Sequence, residues 1–278
     1  MIFAALLVLA QAGTATATSP ILAAPQPIPR KQRPLETDAR PVPETKLGAC
    51  LAATRADPTA AAETAEDWGR RAKGAERAEA AECQGMALTA LGQWAEAEQA
   101  FVAARDASTM LAEKAHYGAM AGNAALAAGA AARADGDFAT AHADALAAGD
   151  KRLAGDIAID RSRALVALKR DREAAAALDE GRSASPGNAT GWLLSATLAR
   201  RQNDLASAQR WIERAADLNP VDPAAGLEAG VIAVLSGHDE AARKSWQSVI
   251  KAAPDSAEAR TAQGYLDQLG PQAPSQGQ

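Results

Sequence analysis

The chain has few bulky side chains. Aromatic residues make up only 4% of its 278 residues, whereas alanine is the commonest residue type. A single large globular core needs many bulky side chains to fill it, so this composition argues against that architecture. Alanine is the best helix former, and its small side chain lets helices approach closely. The composition therefore favours an all-α protein made of many thin packed layers, as in a helical solenoid.

Residue types that commonly carry out chemistry are scarce and scattered. The three histidines, His116, His142 and His238, form neither an H-E-x-x-H motif nor a pair at helical spacing. No phosphate-binding G-x-x-x-x-G-K-[ST] motif occurs. Ser248 and Lys251 match the S-x-x-K motif of serine β-lactamase-like enzymes, but the partner motifs of that class are missing. We therefore predict no catalytic, cofactor-binding or metal-binding residues and no cofactor. An enzyme with an unrecognised site between repeats is the less favoured alternative.

Basic charge is not in excess. The formal net charge is −5 at pH 7, whereas nucleic-acid binders carry basic faces. We therefore expect no nucleic-acid partner.

The N-terminal residues include one short apolar run, Ile2–Ala10, followed by Ala-x-Ala patterns that end at Ala12 and Ala17. The run is too short to cross a bilayer. This order is typical of a secretory signal peptide with its cleavage site, which we place at residues 1–17. No Lys or Arg precedes Arg30, so either the start lies too far downstream or the interpretation is wrong. We expect an exported, periplasmic protein, and otherwise a cytoplasmic one, without a membrane span in the mature chain.

Residues 18–44 carry a proline every few positions. Proline lacks an amide hydrogen and disfavours the α conformation in the residue before it. We predict an extended, disordered linker there and a second disordered segment, the C-terminal tail 270–278.

A helical pattern recurs through the rest of the chain. The clearest unit is Ala189–Pro220, which predicts two amphipathic helices joined by a tight turn. Pro186, Pro220 and Pro254 are separated by two successive steps of 34 residues. A fixed period of this length is typical of stacked helical repeats.

The residues within the units resemble a known family. In the unit that begins at Ala78, Gly85, Trp94, Ala97 and Phe101 fall at repeat positions 8, 17, 20 and 24. This pattern resembles the tetratricopeptide repeat, a helix–turn–helix with small residues where its helices A and B meet. The resemblance implies a right-handed superhelix of helical hairpins with a C-terminal capping helix. It also implies a non-catalytic protein-interaction scaffold.

The repeat pattern divides residues 45–269 into a solenoid with one ambiguous unit. The segments are a degenerate hairpin 45–77, repeats 78–108, 109–154, 155–188, 189–222 and 223–256, and a cap 257–269. In 109–154 the turn between the two helices lies at Gly129 or at Gly136. We favour Gly129, although this places Gly136 inside a helix.

Cys50 and Cys83, the chain's two cysteines, lie 33 residues apart. The resemblance places each on a helix A, and equivalent positions of successive A helices face one another. An exported protein normally oxidises such a pair, so we predict a disulfide. In a cytosolic protein both would be buried small apolar residues.

Four tryptophans are expected in the core. Trp94, Trp192 and Trp246 coincide with packing positions of the family, and Trp68 lies in the degenerate hairpin. Trp211 is a candidate for a partly exposed anchor.

The concave groove is the expected binding surface. In the family, helix A positions 2, 5, 9 and 12 line it. The candidate groove residues are Asn123, Arg163, Thr197, Arg200 and Arg201. They predict an unidentified protein or peptide partner with apolar anchors and an acid. Two alternatives stay open: these residues pack on neighbouring helices, or Ala-rich end helices stack into a structural homodimer.

Overall fold

The computed structural model describes residues 45–270. The predicted signal peptide 1–17 and linker 18–44 lie outside the described residues, as do residues 271–278 of the predicted tail. Thirteen α-helices and no strand occur within 45–270. Their bounds are α1 Lys46–Ala56, α2 Pro58–Arg71, α3 Ala75–Ala90, α4 Trp94–Ala107, α5 Leu111–Ala127, α6 Ala131–Ala147, α7 Lys151–Ala167, α8 Asp171–Ala184, α9 Ala189–Arg201, α10 Leu205–Leu218, α11 Pro223–Leu235, α12 Asp239–Ala252 and α13 Ala257–Leu269.

The helices stack in chain order. Each packs against the next, and α13 contacts both α11 and α12. Ala259 and Ala262 of α13 are buried against Trp246 and Val249 of α12, so α13 covers the end of the stack. The predicted fold class is confirmed: an all-α, right-handed superhelix of helical hairpins with a C-terminal capping helix. We call the odd-numbered helices A helices and the even-numbered helices B helices.

The structure shows where the chain turns between α5 and α6 in the segment 109–154. The turn lies at Gly129, which has a φ of 73°, and Gly136 lies inside α6. Glycine adopts this left-handed conformation without steric cost. Lys169 and Asn203 adopt the same conformation in the turns after α7 and α9.

Small residues of the A helices fit against large residues of the B helices. In three hairpins the A helix has a glycine beside an aromatic ring: Gly85 with Phe101, Gly122 with Phe138 and Gly230 with Trp246. At the equivalent positions of two further hairpins, α7–α8 and α9–α10, the B helix has Leu178 or Ile212 and the A helix has Ser162 or Ala196. The small residue on the A helix therefore leaves room for the large residue on the B helix, and the two helices pack closely.

Polar contacts join B helices of neighbouring hairpins. The pairs are Glu98 with Arg133, Arg105 with Asp144, Asp135 with Arg170, and His142 with Glu180. The partners are separated by 35 to 39 residues, about one repeat. These side chains therefore connect the α3–α4, α5–α6 and α7–α8 hairpins in addition to their apolar packing.

Candidate functional site

The A helices form one continuous face. Helix α5 contacts α7, α7 contacts α9, α9 contacts α11, and α11 contacts α13. This face carries the residues predicted to line the groove, and we call it the A-helix groove. The kind of ligand that this groove can bind depends on the side chains at the junction between each pair of neighbouring A helices.

A cavity of about 170 Å³ lies at the junction of α7 and α9. Its apolar lining includes Val166, Leu194 and Leu198. The lining also includes three of the five predicted groove residues: Arg163, Thr197 and Arg201. The fold therefore places two guanidinium groups and a hydroxyl around one apolar cavity.

The charges of Arg163 and Arg201 are only weakly compensated. Arg163 lies 4.0 Å from Asp160, and 54% of its side chain is exposed. An ion pair that is this long and exposed contributes little stability. Arg201 is exposed and makes no ion pair with any residue in the described range 45–270. Both guanidinium groups can therefore bind a carboxylate that comes from another molecule.

Asn123 lies at the next junction, between α5 and α7. Its amide donates hydrogen bonds to the carbonyl oxygen of Ala119 (3.1 Å) and to Asp160 (3.4 Å). Burial raises the pKa of Asp160, while the bond from Asn123 and the charge of Arg163 partly oppose this. The predicted groove residue Asn123 therefore bridges α5 and α7.

Arg200 is bound within the chain. Its Nε atom lies 2.6 Å from one carboxylate oxygen of Glu228 on α11, and a terminal nitrogen lies 3.3 Å from the other. The two side chains are only 24% and 13% exposed. Arg200 therefore joins α9 to α11 instead of presenting a free charge to the groove. The sequence does not indicate this pair, because Glu228 lies 28 residues further along the chain.

Two more cavities open on the same face. The larger, about 350 Å³, lies between α11 and α13 and is lined by Val231, Val234, Leu235, Trp246, Tyr265, Gln268 and Leu269. The other, about 190 Å³, lies between α3 and α5 and is lined by Met86, Thr89, Trp94, Phe101, Met120, Asn123 and Ala124. Methionine side chains adapt their shape and are favoured at binding surfaces that accept varied ligands.

The expectation that all four packing tryptophans are buried was wrong for Trp94. Trp68 and Trp246 are buried, but Trp94 is 37% exposed. Trp192 is half-buried and donates to the carbonyl oxygen of Pro186. Trp94 begins α4, directly after the hairpin turn, and its side chain lines the α3–α5 cavity.

Comparisons with known proteins agree with this architecture. No family model matches the chain, and no curated protein matches it in sequence. Among solved structures, PilF of Pseudomonas aeruginosa is 12% identical with a TM-score of 0.60, over 79% of this chain and 97% of that one. The TPR protein TTC0263 of Thermus thermophilus is 17% identical with a TM-score of 0.55, over 68% and 97%. The apo quorum sensor NprR of B. thuringiensis is 10% identical with a TM-score of 0.59, over 82% and 71%.

This chain has the tetratricopeptide-repeat (TPR) fold. At such identities the likeness concerns the fold alone. The repeat positions read from the sequence thus correspond to A and B helices of TPR hairpins.

The cysteine pair lies at the N-terminal end of the TPR stack. The sulfur atoms of Cys50 on α1 and Cys83 on α3 are within bonding distance, and their Cα atoms are 6.1 Å apart. Both residues are buried in a cluster that includes Trp68 and Ala80. A bond here links the degenerate first hairpin to the first regular repeat.

Burial strongly raises the pKa values of two titratable groups in the TPR stack. Burial, with nearby Glu82, raises the pKa of Tyr117, whose hydroxyl donates to Glu82. Burial, with nearby Glu98, raises the pKa of Asp137 to about 6. A protonated tyrosine held by a carboxylate is a poor nucleophile.

In residues 45–270 no three His, Cys, Asp or Glu side chains group as metal ligands would. No helix in the same range is both long and apolar enough to cross a membrane.

Proposed function

We propose that this protein is a non-catalytic protein-interaction scaffold. Its A-helix groove binds a partner segment that presents a carboxylate beside an apolar side chain. The observation that carries the proposal is the α7–α9 cavity, where Arg163 and Arg201 flank an apolar lining. Binding sites of this kind combine apolar walls with a few polar groups that fix orientation.

The partner's chemistry follows from that arrangement. An apolar side chain in the cavity contacts Val166 and Leu194, and burial of such a side chain contributes about 1.5–3 kcal/mol. A carboxylate beside it accepts charge-assisted hydrogen bonds from a guanidinium group, which are stronger than neutral ones. Thr197 adds a hydroxyl that donates or accepts. A single anchor is thus weak, because association itself costs several kcal/mol.

A periplasmic location is part of the proposal, with a cytoplasmic location as the alternative. Its support is the apolar run Ile2–Ala10, the Ala-x-Ala patterns and the Cys50–Cys83 pair, since disulfides persist in oxidising compartments. N-terminal sequencing of the protein from fractionated cells tests it. A mature chain that begins after Ala12 or Ala17 supports export, and an uncleaved chain in the cytoplasmic fraction contradicts it.

The groove is tested by charge reversal. Arg163→Glu with Arg201→Glu should abolish capture of a cross-linked partner, because the rim then repels a carboxylate. The control variant, Arg172→Glu with Arg214→Glu, makes the same change in net charge at exposed positions of α8 and α10. Partner capture should survive in the control. If the two variants capture the partner equally well, the groove proposal is wrong. A stable homodimer on sizing, with no partner recovered, would favour the structural oligomer.

A further inference from the structure

We propose that the A-helix groove selects an extended partner segment with three apolar anchors about six residues apart. The segment has an acidic residue beside its central anchor and a basic residue at the end that lies over α3 and α5. This inference rests on the proposed function and specifies its ligand.

Three cavities lie along the groove, each two junctions from the next. Cavities lie between α3 and α5, between α7 and α9, and between α11 and α13. The two junctions between them contain polar bridges, Asn123 with Asp160 and Arg200 with Glu228. Apolar side chains of a ligand can therefore enter three cavities along this face.

The positions of the cavities set the distance between anchors. Packed helices lie 8–10 Å apart, so cavities two junctions apart are separated by roughly 20 Å. An extended chain advances about 3.3 Å per residue, so this separation corresponds to about six residues. Three cavities then require a segment of about 13 residues.

Charge gives the segment a direction. Tyr117 lies one turn before Met120 of the α3–α5 cavity, and its hydroxyl donates a hydrogen bond of 3.0 Å to Glu82 of α3. The charges of Glu79 and Glu113 also lie near this hydroxyl, because they contribute to its raised pKa. These three carboxylates make no ion pair with any residue between 45 and 270. The next cavity along the groove carries Arg163 and Arg201. A ligand with a basic end and a central acid therefore matches the groove in one orientation.

A displayed random peptide library tests the spacing. The full chain is used to select from 20-residue peptides on phage, with Arg163→Glu/Arg201→Glu as the counter-selected variant. Enriched sequences should share apolar residues at intervals of about six, with Asp or Glu beside the central one. In a synthetic consensus peptide, deletion of two residues between anchors should weaken binding at least tenfold. Peptides that bind without a fixed interval overturn the spacing but leave the proposed function standing. No enrichment over the counter-selected variant overturns both.

Photo-cross-linking tests the direction. A benzoylphenylalanine is placed at the basic end of the consensus peptide, and the adduct is mapped by mass spectrometry. We expect adducts on Met86 or Met120. Adducts on Leu235 or Tyr265 would show the opposite orientation and overturn the charge argument.

Discussion

Gly122 of α5 lies directly against the ring of Phe138 of α6. A β-carbon on Gly122 would approach three ring atoms to 2.8–2.9 Å, closer than van der Waals contact allows. Phe138 is fully buried, so its ring cannot move into solvent. The absence of a side chain at Gly122 is therefore what lets the two helices pack around the ring.

Gly122→Ala should destabilise the protein by about 1–2 kcal/mol, because overpacking costs more than the improved helix propensity returns. The control is Gly136→Ala in the same hairpin, where an added β-carbon meets no atom within 4 Å. It should stabilise the protein by about 0.5–1 kcal/mol. Urea unfolding followed by circular dichroism measures both. Equal shifts of the two midpoints would contradict the packing argument.

The sequence predicted contacts within a hairpin better than contacts between hairpins. The repeat pattern narrowed the turn of the 109–154 unit to Gly129 or Gly136 and favoured Gly129, because turn glycines and packing residues recur at fixed distances along the chain. The pattern does not indicate the bridge from Arg200 to Glu228, since this bridge depends on the stagger of two helices and on the conformations of two long side chains. The exposure of Trp94 was missed for a similar reason. Its repeat position indicates packing, but the side chain also lines the α3–α5 cavity, which the repeat pattern does not show.

Arg200→Ala should destabilise the protein by about 1–3 kcal/mol. The substitution leaves the carboxylate of Glu228, 13% exposed, without its guanidinium partner, and an unpaired buried charged group is costly. Arg201→Ala is the matched control, because its side chain is exposed and its loss should change stability by less than about 0.5 kcal/mol. A double-mutant cycle with Glu228→Gln should return a coupling energy of about 1 kcal/mol or more. A coupling near zero would show that the ion pair contributes no stability.

The free energy of unfolding should fall as the pH rises, because Asp137 then loses its proton. Burial, with the nearby charge of Glu98, raises the pKa of Asp137 to about 6 in the folded chain, against about 3.9 in an unfolded chain. The protonated form is therefore favoured by folding, and its stabilisation is present below pH 4 and lost as the pH rises to about 6. The Oδ2 atom has no hydrogen-bond partner among the described residues, in keeping with a neutral group.

Asp137→Asn should remove this dependence. The amide is neutral at every pH, so the variant should gain about 1–2 kcal/mol over the native chain at pH 8, after allowance for partial exposure to water. At pH 4 the two proteins should differ little. Urea midpoints at pH 4, 6 and 8 provide the measurement, and a variant whose advantage is the same at all three would refute the shifted pKa.

Oxidation of Cys50 and Cys83 should stabilise one end of the stack selectively. A bond that closes a loop of 33 residues contributes about 3–4 kcal/mol in the chain-entropy model. Because repeat proteins can unfold locally, removal of the bond should act mainly on α1 and α2, which have neighbours on one side of the stack. In Cys50→Ala/Cys83→Ala, hydrogen exchange should accelerate in α1–α3 and stay unchanged in α9–α12. A thiol count on the denatured, unreduced native protein is the companion measurement. Two free thiols would refute the disulfide, and a uniform acceleration of exchange along the stack would refute its local effect.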